Sequence, residues 1–134
     1  MASQVVALTA PQAQHLYPKI EPILTPVLAI EGTYLAVDVL AAHIRGEMTI
    51  WVSINNDDIE AVMVTAIVRH PRKAFCLIPW IAGKNLWGWA KQFDDLSMKY
   101  AKDAGCSAMR GALREGWVRV AGYTKFGAIL HKDI

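Results

Sequence analysis

The stretch that decides the fold runs from Thr49 to Ile81, TIWVSINNDDIEAVMVTAIVRHPRKAFCLIPWI. Thr49–Ile54 is β-branched and aromatic and reads as a strand. Asn55-Asn56-Asp57-Asp58 is a turn cluster, and Ile59–Val68 is a second, longer strand. His70-Pro71-Arg72 turns the chain again into a third strand over Lys73–Ile81. Three strands joined by tight turns form an antiparallel meander.

C-terminal to the meander the period changes. Leu86, Trp89, Ala90, Phe93, Leu96 and Tyr100 fall on one face of a helix, with Lys91, Asp94, Asp95 and Lys99 opposite. Gly105 stands where a helix end wants a left-handed residue. Cys106–Arg110 reads as a weak strand, Glu115–Tyr123 as a short helix and Phe126–His131 as a last strand. On the N-terminal side, Val5–Leu8 is a short strand, and Thr9-Ala10-Pro11 is a helix start. Pro18, Pro22 and Pro26 each remove a backbone donor, which predicts two short helical pieces over Gln12–Tyr17 and Lys19–Leu28. Tyr34, Val37, Leu40, Ala41 and Ile44 predict a further helix closed by Gly46. The order β-α-α-β-β-β-α-β-α-β describes a single mixed α/β unit over 1–134.

Composition agrees. A chain of 134 residues, 54% hydrophobic and 19% charged, suits one packed core. A formal charge of +2 with scattered Lys and Arg argues against a nucleic-acid partner. Arg69-His70-Pro71-Arg72-Lys73, the densest basic spot, reads as a solvated hairpin turn. No apolar run approaches the roughly 20 residues that span a bilayer, so no membrane partner is expected. The start of the chain lacks the pattern of a signal peptide, so the protein is expected to stay in the cytoplasm. Cys76 and Cys106 lack metal-ligand spacing and are expected as buried thiols, with a disulfide left open. His15, His43 and His131 are far apart, and no metal site is expected. Trp87 and Trp89 read as packing residues, with at least one indole facing the core.

Tyr123-Thr124-Lys125-Phe126-Gly127-Ala128 resembles the Tyr-x-Lys-x-Gly-Phe ending of the GNAT acyltransferases, where a helix finishes and the final strand begins. The element order also resembles that fold, and the likeness is carried mainly by 59–134. Departures are Ala128 for the aromatic after Gly, and Gly116 for the Asn that family members often carry seven residues before the Tyr. The resemblance implies a mixed, largely antiparallel sheet that splays between its fourth and fifth strands. It implies acetyl-CoA as cofactor if the protein is active, with the pyrophosphate on backbone N–H groups opening the long helix. The corresponding residues are Ile81, Ala82, Gly83, Lys84, Asn85, Leu86 and Gly88. Asn85 and Trp87 depart from the family's Arg/Gln-x-x-Gly-x-Gly/Ala pattern there, so the loop is degenerate. Tyr123 takes the place of the acid that protonates the departing thiolate. Glu60 and His70 are candidate bases.

Arg114-x-Gly116-Trp117, with the basic residue and Gly-aromatic ending that follow, is similar to small GNAT-like proteins encoded among tailed-phage virion genes. That likeness implies a mainly structural role in assembly or ejection. Its partners would be other virion proteins or a second copy of the chain, in an infected bacterial host or within the particle. The alternative it leaves open is an active N-acetyltransferase.

Overall fold

The computed structural model describes residues 2–113, 117, 121–127 and 130–134. Strand β1 (Gln4–Ala7) leads into helix α1 (Ala10–Glu31) and helix α2 (Ala36–Ile44). The meander follows as β2 (Thr49–Asn55), β3 (Asp58–Arg69) and β4 (Ala74–Gly83), then α3 (Leu86–Asp103) and β5 (Ala108–Gly111). These strands form one sheet in the order β1-β2-β3-β4-β5, antiparallel except for the parallel β4–β5 pair. The mixed α/β architecture is present, and the order expected from the sequence is followed through β5, whereas Phe126, Gly127, Leu130 and His131 of the expected last strand are irregular. Trp117 and Ala121 are helical, in the segment expected as the closing helix. Gly116, Arg114 and Ala128 lie outside the described residues, as do parts of the expected last helix and strand.

The meander turns follow their residues. Asn56 and Asp57 both adopt positive φ, which suits a two-residue hairpin whose twist matches the strands. His70 N–H donates to the Lys73 carbonyl across the second turn, where Arg69, His70, Arg72 and Lys73 are exposed as expected.

Three expectations are corrected. The prolines do not break the first helix: α1 is continuous over 22 residues with Pro18, Pro22 and Pro26 inside it. A spacing of four places all three on one face, and that face is exposed. The carbonyls they leave unpaired therefore face water, while Ala13, Ile20, Leu24 and Leu28 are buried opposite. Thr9 and Gln12 close the start as a reciprocal capping box, which adds to the helix where the prolines subtract. In α2 the buried face is Ala36, Val39, Ala42 and His43, whereas Tyr34, Val37 and Ile44 are exposed. Leu35 is the N-cap, and its N–H donates to the Asp38 carboxylate. In α3, Asp94 is buried, not solvated, and Leu96 and Tyr100 are partly exposed.

The sheet carries apolar clusters on both faces. α1 and α2 cover Ile50, Val52, Val62, Val64 and Trp80 on one side. On the other, Trp89, Ala90 and Phe93 of α3 meet Val5, Trp51, Ala61, Met63, Ile78 and Trp117. Edge-to-face aromatic contacts run from Trp51 to Phe93 (5.7 Å), Phe93 to Trp117 (6.4 Å) and Trp117 to Tyr123 (6.1 Å). They fix Tyr123 relative to the long helix.

Candidate functional site

Two sheet irregularities shape the region to which the sequence points. On β4, Ile78 and Pro79 together face Thr65, a bulge. The β4–β5 ladder ends at the Ile78–Gly111 pair, whereas β4 runs on to Gly83. Proline has no N–H to offer a neighbouring strand, so the ladder stops at the residue where a donor is missing. The two strands thus part company past Ile78, the splay expected between the fourth and fifth strands.

On β3, Ser53 pairs with Ala61 and Ile54 with Ile59, leaving Glu60 as an extra residue in a second bulge. The bulge turns Glu60 inward. It is 5% exposed, not a solvated strand residue as its place near a hairpin suggests. Its Oε1 accepts from the Ser3 hydroxyl and from the Ser53 hydroxyl at 2.9 Å. Its Oε2 accepts from the Asn85 amide at 3.1 Å and, more weakly, from the Asn55 amide at 3.5 Å. Burial pushes the carboxyl pKa up, but these hydrogen bonds outweigh it and hold Glu60 below its ordinary value. Glu60 is therefore a fixed carboxylate, and a weak base.

The expected phosphate loop is built around this carboxylate. Ile81 and Ala82 are half-buried strand residues of β4, with Ala82 paired to Val62. Gly83 has φ +126°, and a Cβ there would sit 2.3 Å from the Glu60 carbonyl and 2.5 Å from Ala61 Cα. Its glycine is required by the close approach of β3. Lys84 N–H donates to that same Glu60 carbonyl at 2.9 Å, and Lys84 C=O accepts from the Trp89 indole at 2.8 Å. Asn85 caps α3 in the left-handed conformation, φ 60°, without a side-chain hydrogen bond to the helix. Its amide instead reaches Glu60 and Ser3, and it fills the space in which a Gly88 Cβ would lie. Gly88 N–H donates to Asn85 C=O, and Leu86 packs half-buried beneath α3. Trp87 is 66% exposed, so its indole leaves the core to Trp89.

The Glu60 carboxylate stands at the end of α3 where a helix N-terminus would attract an anion. A buried negative charge there opposes a pyrophosphate, while Lys19 and Lys84 line the same cavity as Glu60 and favour an anion.

Tyr123 sits elsewhere. Its hydroxyl lies near Asp94 of α3 and Cys76 of β4, in the cluster beneath the helix. Burial, then the Asp94 charge, raise its pKa well above the usual phenol range. Burial likewise raises Asp94, with Tyr123 pulling it down in part. The two groups perturb one another, yet Tyr123 Oη and Asp94 Oδ1 are both buried without an aligned hydrogen bond among the described residues. Cys76 is also buried and pushed up to about 11, first by desolvation, while Cys106 is only half-buried.

The expected acid and base are not brought together. Glu60 is bonded to Asn85 and Tyr123 neighbours Asp94, nine positions along α3 or about 13 Å at 1.5 Å per residue. His70 stacks on Phe75 at the opposite end of β4 and faces neither. Sequence reasoning missed Ser3, Ser53 and Asp94. Only Ser53, a polar residue within an apolar run, carried a signal, and Ser3 and Asp94 became meaningful once β1, β2 and α3 were adjacent.

No family model and no curated protein matches the chain. Solved structures do. An aminoglycoside acetyltransferase from an uncultured soil metagenomic sample, solved with sisomicin, superposes with a TM-score of 0.75 at 10% identity, over 98% of this chain and 95% of that one. A probable acetyltransferase gives 0.72 at 11% identity, over 98% and 97%. A GNAT family acetyltransferase of Staphylococcus aureus gives 0.65 at 13% identity, over the full length of both chains. The chain has the GNAT acetyltransferase fold.

Proposed function

We propose that this GNAT-fold protein has given up acetyl-CoA binding and acts through protein contacts, as a mainly structural component associated with a phage virion. The observation that carries the first half is the Glu60 knot. A desolvated carboxylate, held ionised by Ser3, Ser53, Asn55 and Asn85, stands at the helix end where the family places a pyrophosphate. Asn85 both supplies a donor to that knot and fills the space over Gly88. The second half rests on the likeness of the C-terminal sequence to GNAT-like proteins of tailed phages. Its partners would be virion proteins or a second copy of the chain. No single described helix is long and apolar enough to cross a membrane.

A second reading has an observation of its own. Tyr123 Oη is buried beside Asp94 without an aligned partner, and a phenol so placed is available to a group entering the splay. On that reading the protein is an N-acetyltransferase with Tyr123 as its acid. Its raised pKa keeps Tyr123 protonated throughout the neutral range, and Tyr123→Phe would abolish turnover.

The proposal is tested by mass spectrometry of purified particles of the encoding phage. Recovery of the chain at stoichiometric copy number is expected. Its presence only as free protein in the lysate would overturn the virion role.

A further inference from the structure

The charges that are scattered in the sequence are gathered by the fold. Arg69 ends β3, Arg72 and Lys73 stand in the following turn, and Arg110 lies on β5, paired to Leu77 beside the same turn. All four are exposed. Arg72, Lys73 and Arg110 have no ion-pair partner among the described residues, and Arg69 is spent only on the Ala104 carbonyl at 2.9 Å. Asp103, the acidic residue next to that carbonyl, is already paired with Lys99 at 3.2 Å.

Aromatic rings alternate with these cations. The His70 ring lies 5.7 Å from Phe75, and the Arg110 guanidinium lies 3.9 Å from the centre of the Phe75 ring and 4.6 Å from that of Phe126. Phe126 is nevertheless 80% exposed, so its ring is largely open. The two ring contacts hold Arg110, which is itself exposed. A stack that only pinned the C-terminal segment would need neither an open outer ring nor a ring of unpaired cations.

We infer that this end of the sheet binds single-stranded nucleic acid, with phosphates on Arg69, the Arg72–Lys73 turn and Arg110, four cations in all, and a base on Phe126. Cations that track a backbone beside an open aromatic face are the two requirements of strand binding without sequence preference. The surface lies at the other end of β4 from the Glu60 knot and does not depend on the proposed function. Four phosphate contacts on a single strand give a salt slope of about −2.8 in log–log terms. Raising salt fourfold should then weaken binding about 50-fold.

The test is fluorescence anisotropy with a labelled 20-mer of thymidine and a duplex of equal length, at 50 and 200 mM salt. The single strand should bind more tightly than the duplex and show the 50-fold loss. The R72A/K73A variant should halve the slope, cutting the loss to about sevenfold. Phe126→Ala should weaken single-strand binding at least about fivefold and leave the salt slope unchanged. Absence of binding at 50 mM salt would overturn the inference. So would equal affinity for duplex, an unchanged affinity in Phe126→Ala, or tighter binding to phosphatidylserine vesicles than to the oligonucleotide.

Discussion

Replacing Glu60 with Gln removes one charge from the knot and leaves its shape. The carboxylate accepts from two hydroxyls on Oε1 and from two side-chain amides on Oε2. A glutamine offers one acceptor oxygen, and its amide group then faces two donors. Hydroxyls rotate to become acceptors, so the Ser3 and Ser53 side absorbs the change more readily than the Asn55 and Asn85 side. A hydrogen bond to a charged group contributes about 1.5–3 kcal/mol, and relaxation at the hydroxyls prevents the four from adding. The expected loss is about 2 kcal/mol at pH 7, read from urea denaturation. The pH dependence has a definite sign. Glu60 is held below its ordinary value when folded, so its contribution is complete above the unfolded pKa, about 4.3, and is lost as pH falls through the folded one. The gap between wild type and variant should therefore begin to narrow as pH falls below about 5 and go on narrowing as Glu60 takes up its proton. Equal stability at pH 7, or an undiminished gap at pH 3, would refute the knot.

Further outcomes follow from other residues. Gly83→Ala should cost more than about 3 kcal/mol, because its Cβ would overlap the Glu60 carbonyl and its φ disfavours a side chain; a denaturation curve near wild type would show that β3 does not need that approach. Asp94→Asn should stabilise the fold by about 1 kcal/mol at pH 7. Because the Asp94 folded pKa is raised, the native state favours the protonated acid; the gain should fade as pH falls to the ordinary carboxylate range. Ultraviolet titration of the same variant should show Tyr123 ionising at lower pH than in the wild type. Pro22→Ala should stabilise by about 1–3 kcal/mol, since it restores a donor to the exposed face of α1; a loss of stability would mean that the proline face makes contacts beyond solvent.

Much of the fold was legible because it is written locally. The meander announces itself through β-branched runs between Asn55–Asp58 and Arg69–Lys73, and both turns form there. The limits arise where a long-range term wins. Three prolines spell a broken helix to any local rule, yet a spacing of four directs every lost bond to water, and burial of Ile20, Leu24 and Leu28 carries α1 through. Asp94 sits on the polar side of the expected wheel, but it is buried, and Tyr123 meets it from a distant segment. The site was half-readable. Asn85 and Trp87 showed that the phosphate loop departs from its pattern. What Asn85 does in exchange depends on the bulge at Glu60 and on Ser3 at the far end of the chain. No spacing in the sequence links those three positions.

The central claim is that an acetyltransferase fold here carries a closed phosphate end, and calorimetric titration with acetyl-CoA tests it most directly. No saturable heat is expected from the wild-type protein at millimolar ligand. Saturable one-site binding tighter than about 1 mM, equivalent to about 4 kcal/mol, would contradict it.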